Sequence, residues 1–297
     1  MAKKPAADEP WLLEFPEIEA GESEPLVNPL PHPIWTENKA KLIEAYLRFF
    51  LYITHHGTYI DCFAGPQQPG MPEMWAAKLV LEVQPRWLKR FYLFEKHPKR
   101  FQQLVELRAH QPEDDTRIIE LYEGDVNLRI RELLDSKSIT EKQATFCLLD
   151  QRTFECHWET VRLLAEYKKE GRKIELFYFL ASKWLARAMS GVRDKTILEK
   201  WWGRNDWQTL VGMKPDKCAD EVVRRFKTEL GYASAKRWPI FNSTQPGLVM
   251  YYMIHSSDHE EAPIQMRRAY AHAVRQTNPN KHGFQEWNLN REVGTQL

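Results

Sequence analysis

The sequence lacks the features that would assign it by composition alone. Lys and Arg number 42 against 41 Asp and Glu, a formal net charge of +1. No global basic field therefore recruits nucleic acid, and any such binding needs a local patch. Only four cysteines occur, Cys62, Cys147, Cys156 and Cys218, and no two stand at CxxC spacing. That spacing argues against a zinc ribbon and a disulfide framework; reduced thiols and no metal site are expected. The most apolar early stretch, residues 42–53, is interrupted by Glu44 and Arg48 and is too short to span a bilayer. The opening residues carry no apolar leader, so a soluble, cytoplasmic protein with no membrane partner is expected. Phosphate-binding P-loops, nucleophile elbows and zinc-protease helix motifs are absent as well.

What is present is an ordinary globular share of hydrophobic residues, 43% of 297, enough for a core without staples. Residues 1–34 are rich in Pro, Glu and Asp and read as an acidic arm, although Trp11, Leu12, Leu13 and Phe15 suit a docking role. From Thr36, a plausible N-cap, apolar residues recur at helical spacing to His55. Strand-like runs at 58–63, 90–94, 117–122, 145–149 and 174–180 then alternate with helical segments, which implies βαβ units and a doubly wound sheet. Residues 183–230 read as wholly helical, with Trp201, Trp202 and Trp207. Strands at 238–241 and 248–255 follow, joined by the turn formers of 242–247, and a helix at 260–274 ends the pattern.

Five alternating strands and a closing hairpin is the arrangement of class I methyltransferases. The expected fold is therefore an α/β, methyltransferase-like Rossmann fold with a seven-stranded, mostly parallel sheet, a C-terminal antiparallel hairpin and a helical insertion. Its parts are the arm at 1–34, the Rossmann-like core at 35–182, the Trp-rich helical insertion at 183–235 and the hairpin, last helix and tail at 236–297.

In an open α/β sheet, ligands sit beyond the carboxyl ends of the strands at the topological switch point. Four successive strands end on or beside an acid: Asp61, Glu95, Asp125 and Asp150. Each also suits a helix cap. With S-adenosylmethionine as ligand, Glu95 is placed to accept from both ribose hydroxyls and Asp125 from the adenine amine. The loop at Asp61, Phe63, Ala64 and Gly65 would approach the methionine part, and Asn127 completes the cofactor set. Asp150 would orient an amine acceptor, Phe154 would stack on a base and Arg152 would hold a phosphate. Positioning supplies most of the rate in such a reaction, since the sulfonium is already activated.

The stretches Trp35-Thr36-Glu37-Asn38-Lys39, Tyr59-Ile60-Asp61-Cys62-Phe63-Ala64-Gly65-Pro66, Gly124-Asp125-Val126-Asn127, Leu148-Leu149-Asp150 and Trp201-Trp202-Gly203 resemble the three-Cys-motif partner proteins, a family similar to S-adenosylmethionine-dependent methyltransferases. The resemblance spans residues 32–275 and implies a companion protein bearing a three-cysteine motif. Two departures stand out: Gln67 replaces the family's glycine after Ala-Gly-Pro, and Gln151 replaces the proline after the fourth-strand Asp. They motivate an alternative expectation, a degraded methyltransferase fold acting as a scaffold in a complex. A nucleic-acid partner is expected, if anywhere, at residues 184–207, where Trp184, Arg187, Arg193, Lys195, Lys200 and Arg204 interleave with the other tryptophans. Those tryptophans equally suit the core of the helical lobe.

Overall fold

The structure is a computed structural model that describes residues 39–67, 71–181, 185–241 and 248–276. The acidic arm, the Thr36 cap, Trp184, the hairpin turn at 242–247 and the C-terminal tail lie outside the described residues. Helix α1 (Lys39–Thr54) is followed by β1 (Gly57–Asp61), α2 (Ala76–Glu82), β2 (Leu88–Glu95), α3 (Pro98–Ala109) and β3 (Ile118–Glu123). Next come α4 (Val126–Asp135), β4 (Thr145–Leu149), α5 (Trp158–Glu166) and β5 (Glu175–Leu180). Three helices, α6 (Leu185–Gly191), α7 (Thr196–Trp202) and α8 (Pro215–Thr228), lead into β6 (Ser234–Phe241), β7 (Val249–Ser257) and α9 (Ala262–Gln276).

The strands form one seven-stranded sheet in the order β3-β2-β1-β4-β5-β7-β6. Pairing is parallel from β3 to β5, and β7 lies antiparallel to both β5 and β6. This is the expected methyltransferase-like order. The central strands are buried on both faces, which explains their continuous apolar runs. Alternate residues nevertheless divide cleanly between the faces. Tyr59, Phe91, Phe146, Phe177 and Phe179 enter the core beneath α1, α2 and α9. Ile60, Tyr92, Cys147, Leu149 and Tyr178 enter the opposite core, shared with α4, α5 and α8. All four cysteines are free and buried.

Strand β6 begins at Ser234, four residues before the hydrophobic signal. Its first half, Ser234 to Arg237, buries only Ala235 in the core; its register with Ser257 through Ile254 of β7, more than a run of apolar residues, makes it a strand. Between β5 and β6, Trp201, Trp202 and Trp207 enter the same core as the sheet, all buried, and β6 takes the last two residues of the expected helical insertion. Gly203 caps α7 in the left-handed region, and a Cβ there would meet the Trp158 side chain at 2.6 Å. Among the described residues no helix is long and apolar enough to cross a membrane.

Two buried polar clusters tie helices to this frame. Glu175, at the start of β5, accepts from Tyr46 Oη of α1 and from Ser257 Oγ at 2.7 Å, and lies 2.9 Å from His255 Nε2. Burial first, then Glu175, pushes the Tyr46 phenol well above its ordinary range. Arg225 of α8 is fully buried between two tryptophans, with its guanidinium carbon 3.7 Å from the Trp158 ring and 4.1 Å from Trp202. It donates to the Trp202 carbonyl at 2.6 Å and to both oxygens of Glu229 at 2.9 and 2.8 Å. Stacking and a bidentate carboxylate together favour Arg over Lys at such a position. Arg225→Ala is therefore expected to lower unfolding stability by about 3 kcal/mol, read as a shifted urea midpoint at unchanged slope; a loss within experimental error would mean the stacked cation contributes nothing net.

Candidate functional site

The order of the strands reverses between β1 and β4, so their carboxyl ends open into the crevice where α/β sheets place ligands. Asp61 ends β1 and is buried. One of its oxygens accepts the Phe63 N–H at 3.0 Å and the other accepts the Tyr59 hydroxyl at 2.9 Å. Burial raises its pKa to about 7, against the lowering effect of those two donors, with a further push from the charges of Asp150 and Glu95. The loop beyond is held by the Ala64 N–H donating to the Phe94 carbonyl at 2.8 Å and by Trp75 Nε1 donating to the Ala64 carbonyl at 2.6 Å.

Glu95 ends β2 and is also buried. It accepts the His97 N–H at 2.7 Å and the Gly65 N–H at 3.2 Å, and Arg100 Nη2 lies 3.4 Å away. A Cβ on residue 65 would come within 2.2 Å of the Glu95 carboxylate oxygen. Glycine is needed here for close approach of backbone to the Glu95 carboxylate, a different requirement from the approach to a cofactor's methionine part expected of this loop.

Asp150 follows β4. One oxygen accepts from Lys39 Nζ at 2.7 Å and the other from Gln67 Nε2 at 2.9 Å, while Lys39 Nζ also reaches Gln67 Oε1 at 3.4 Å. The Lys39 ammonium stands 4.9 Å from the centre of the Phe179 ring and 5.3 Å from that of Tyr251, close enough for cation–π attraction. Lys39 and Asp150 are only 8% and 6% exposed, so this is a buried ion pair rather than a surface one.

The structure sorts the other expected site residues. Asp61, Phe63, Ala64, Gly65, Glu95, Asp125, Asp150 and Arg152 line two adjoining cavities that share a wall of Phe63, Gln67 and Asp150. Asn127 and Phe154 do not line either cavity. The Asn127 amide nitrogen donates to Asp125 and to the Glu155 carbonyl, each at 2.7 Å. Its oxygen accepts from the His157 N–H and the Thr160 hydroxyl, each at 2.8 Å. Every hydrogen-bonding position of the Asn127 amide is thus occupied, one by Asp125 and the rest by the 155–160 segment, which leaves none for a cofactor. Phe154 is buried edge-on against Trp201, with ring centres 4.9 Å apart, so it packs the helical lobe and offers no face to a base. Asp125 combines both readings: it caps α4 by accepting the Asn127 N–H at 2.9 Å and still faces the cavity. Trp201, Trp202 and Trp207 are buried, so they present no stacking platform, whereas Arg187, Arg193, Lys195, Lys200 and Arg204 of the same segment are exposed.

Both departures from the family pattern have a structural role. Gln67 bonds Asp150, as above. Gln151 is buried, donating to the Phe179 carbonyl at 3.3 Å and accepting the Cys156 N–H at 3.0 Å, so it fastens the turn after β4 to the end of β5. Lys39, Gln67, Arg100, Phe179 and Tyr251 were not assigned site roles from sequence. From sequence, Lys39 figures only as the last residue of the Trp35-Thr36-Glu37-Asn38-Lys39 stretch; its burial on α1 is visible in the structure alone.

Each cavity holds about 20 Å³, room for a single water, whereas pockets for ligands of cofactor size run to roughly 300 Å³ and more. Among the side chains that close these cavities are Gln67, held on Asp150, and Arg100, beside Glu95. The raised Asp61 pKa also has a consequence for stability. Its unfolded value is about 3.9 and its folded value about 7, so the folded state binds the extra proton. The stabilisation is complete below the unfolded value and is lost as pH rises through 7. An Asp61→Asn variant should gain thermal stability relative to the parent between pH 5 and about pH 7, and the gain should level off above that; a gap independent of pH in paired melting curves would contradict the assignment.

No protein-family model and no curated protein matches the sequence. Among solved structures, the chain is similar to the CurJ carbon methyltransferase, with 13% identity, a TM-score of 0.42 and coverage of 69% of this chain and 49% of that one. It is also similar to an O-methyltransferase from Bacillus cereus in complex with SAH, at 9% identity and a TM-score of 0.39, covering 72% and 79% of the two chains. A tRNA methyltransferase from M. jannaschii gives 10% identity and a TM-score of 0.34, over 72% of this chain and 47% of that one. The methyltransferase-like fold of this chain rests on its own strand order.

Proposed function

We propose that this protein binds S-adenosylmethionine at the β1–β4 switch point and transfers its methyl group to an amine. The observation that carries the reading is Asp150, which already holds the Lys39 ammonium nitrogen at 2.7 Å, near two aromatic rings, beside adjoining cavities that Asp61 and Glu95 also line. An acid there orients a nitrogen nucleophile, and little further acid–base chemistry is needed.

The donor set fits the cofactor. Glu95 would hold the ribose hydroxyls in exchange for Arg100, the longest of its contacts at 3.4 Å. Gly65 lets the backbone come close, and Asp61 and Asp150 supply negative charge for a cationic ligand. When bound, the cofactor supplies a methyl group activated on a sulfonium. Asp125 would meet the adenine amine, and Arg152 stands at the cavity rim, where an anionic part of an acceptor can reach it.

Gln67 and Gln151, each with defined partners, count against decay of the site. The matching stretch at residues 59–66 builds the floor of the crevice and supports membership of the three-Cys-motif partner family, with a companion three-cysteine protein as partner. Nucleic-acid binding through residues 184–207 would have to rest on exposed cations, since three of the tryptophans there are buried; its affinity would then fall steeply with salt.

Calorimetric titration with S-adenosylmethionine tests the reading. Micromolar binding is expected in the parent, weakened about tenfold or more in Glu95→Ala through loss of charge-assisted hydrogen bonds. No heat at millimolar cofactor would refute it.

A further inference from the structure

The acceptor position of the proposed site is not empty of nitrogen: Lys39 fills it. Its Nζ lies where an amine acceptor would be hydrogen-bonded to Asp150, at 2.7 Å, with Gln67 Oε1 at 3.4 Å and the rings of Phe179 and Tyr251 around it. Resting on the methyltransferase reading above, we infer that Lys39 is itself a methyl acceptor, a modification site built into the chain and served by S-adenosylmethionine.

Three features support this. First, the placement is enforced: Lys39 is buried, and α1 is packed along the sheet through Leu42, Ile43, Tyr46 and Leu47, all nearly inaccessible. A held nucleophile needs no encounter step, so intramolecular positioning favours this nitrogen over any amine in solution. Second, Asp150 is in hydrogen-bonding contact with the Lys39 nitrogen at 2.7 Å and is the group placed to receive its proton. Third, aromatic rings beside an ammonium also accept its methylated forms, which keep the charge while losing N–H donors. The product therefore remains compatible with Phe179 and Tyr251 and gives up hydrogen bonds to Asp150 and Gln67.

The step balances. The Lys39 proton passes to an Asp150 oxygen, and the freed lone pair forms the new nitrogen–carbon bond. The carbon–sulfur bond breaks with its electrons staying on sulfur, which leaves as the neutral thioether S-adenosylhomocysteine. No oxidant or second substrate is required.

Lys168 serves as an internal control. It is likewise buried, donates to the Gln143 carbonyl and has its pKa lowered to about 8 by burial, yet it lies near the start of β4, away from the crevice. The experiment incubates the full chain with S-adenosylmethionine carrying a trideuteromethyl group and follows intact mass, then maps the label by tandem mass spectrometry. One or more trideuteromethyl groups on Lys39 are expected, with none in Lys39→Arg. Asp150→Asn, which preserves shape and hydrogen bonding to Gln67, should slow labelling about tenfold or more at saturating cofactor. The peptide map of the parent decides the matter even where a variant fails to fold. Calorimetric cofactor binding with no mass increase overturns this inference alone, as does label on Lys168 in place of Lys39. Absence of cofactor binding overturns both it and the reading it rests on.

Discussion

A sheet whose crossovers change faces parts its loops at the switch point. Helices α2 and α3, which follow β1 and β2, pack on one face and α4 and α5, which flank β4, on the other, so a crevice is left beyond the carboxyl ends of β1 and β4. Everything at the candidate site follows from that topological necessity. The loops after β1, β2 and β4 converge on one small volume, and each brings a carboxylate: Asp61, Glu95 and Asp150.

Three buried acids in one crevice repel one another, and the structure meets this in three different ways. Glu95 is balanced by backbone N–H groups and Arg100, Asp150 by Lys39 and a glutamine amide, and Asp61 by a phenol and one N–H without a cation of its own. It is Asp61 whose ionisation is pushed towards neutral pH. The crevice thus combines one fully paired acid, one acid surrounded by donors and one under-compensated acid. That asymmetry suits a ligand bringing a positive charge and hydroxyl groups.

The fold was legible because its signal is repetitive: five apolar runs, each followed by a helical period, leave few topologies once a hairpin closes the chain. The acids at the strand ends were legible for the same reason, since the sheet fixes where a strand's carboxyl end must lie. What sequence could not give was the direction of side chains in the turns. Phe154 and Asn127 fall a few residues past strands and share the vocabulary of a site, yet one turns into the helical lobe and the other spends its hydrogen bonds on Asp125 and the 155–160 segment. Conversely, Lys39 and Gln67 reach Asp150 across sequence separations of 111 and 83 residues, and no local pattern encodes such a meeting. The polar half of β6 was missed because an edge strand is specified by its neighbour's backbone as much as by its own side chains.

The buried bond between Tyr46 and Glu175 has a mechanical meaning for the crevice. Tyr46 lies seven residues along α1 from Lys39, about 10 Å along the helix axis, and is anchored to the start of β5, while Lys39 meets Asp150 after the end of β4. One rigid rod therefore runs from the amino end of β5 to the carboxyl end of β4, with its pivot at a phenol and its tip at the ion pair. The Glu175 cluster, which also holds His255 and Ser257 of β7, sets the angle at which α1 leans. The shape of the crevice is in this sense decided at the opposite end of the central strands, by residues that line neither cavity.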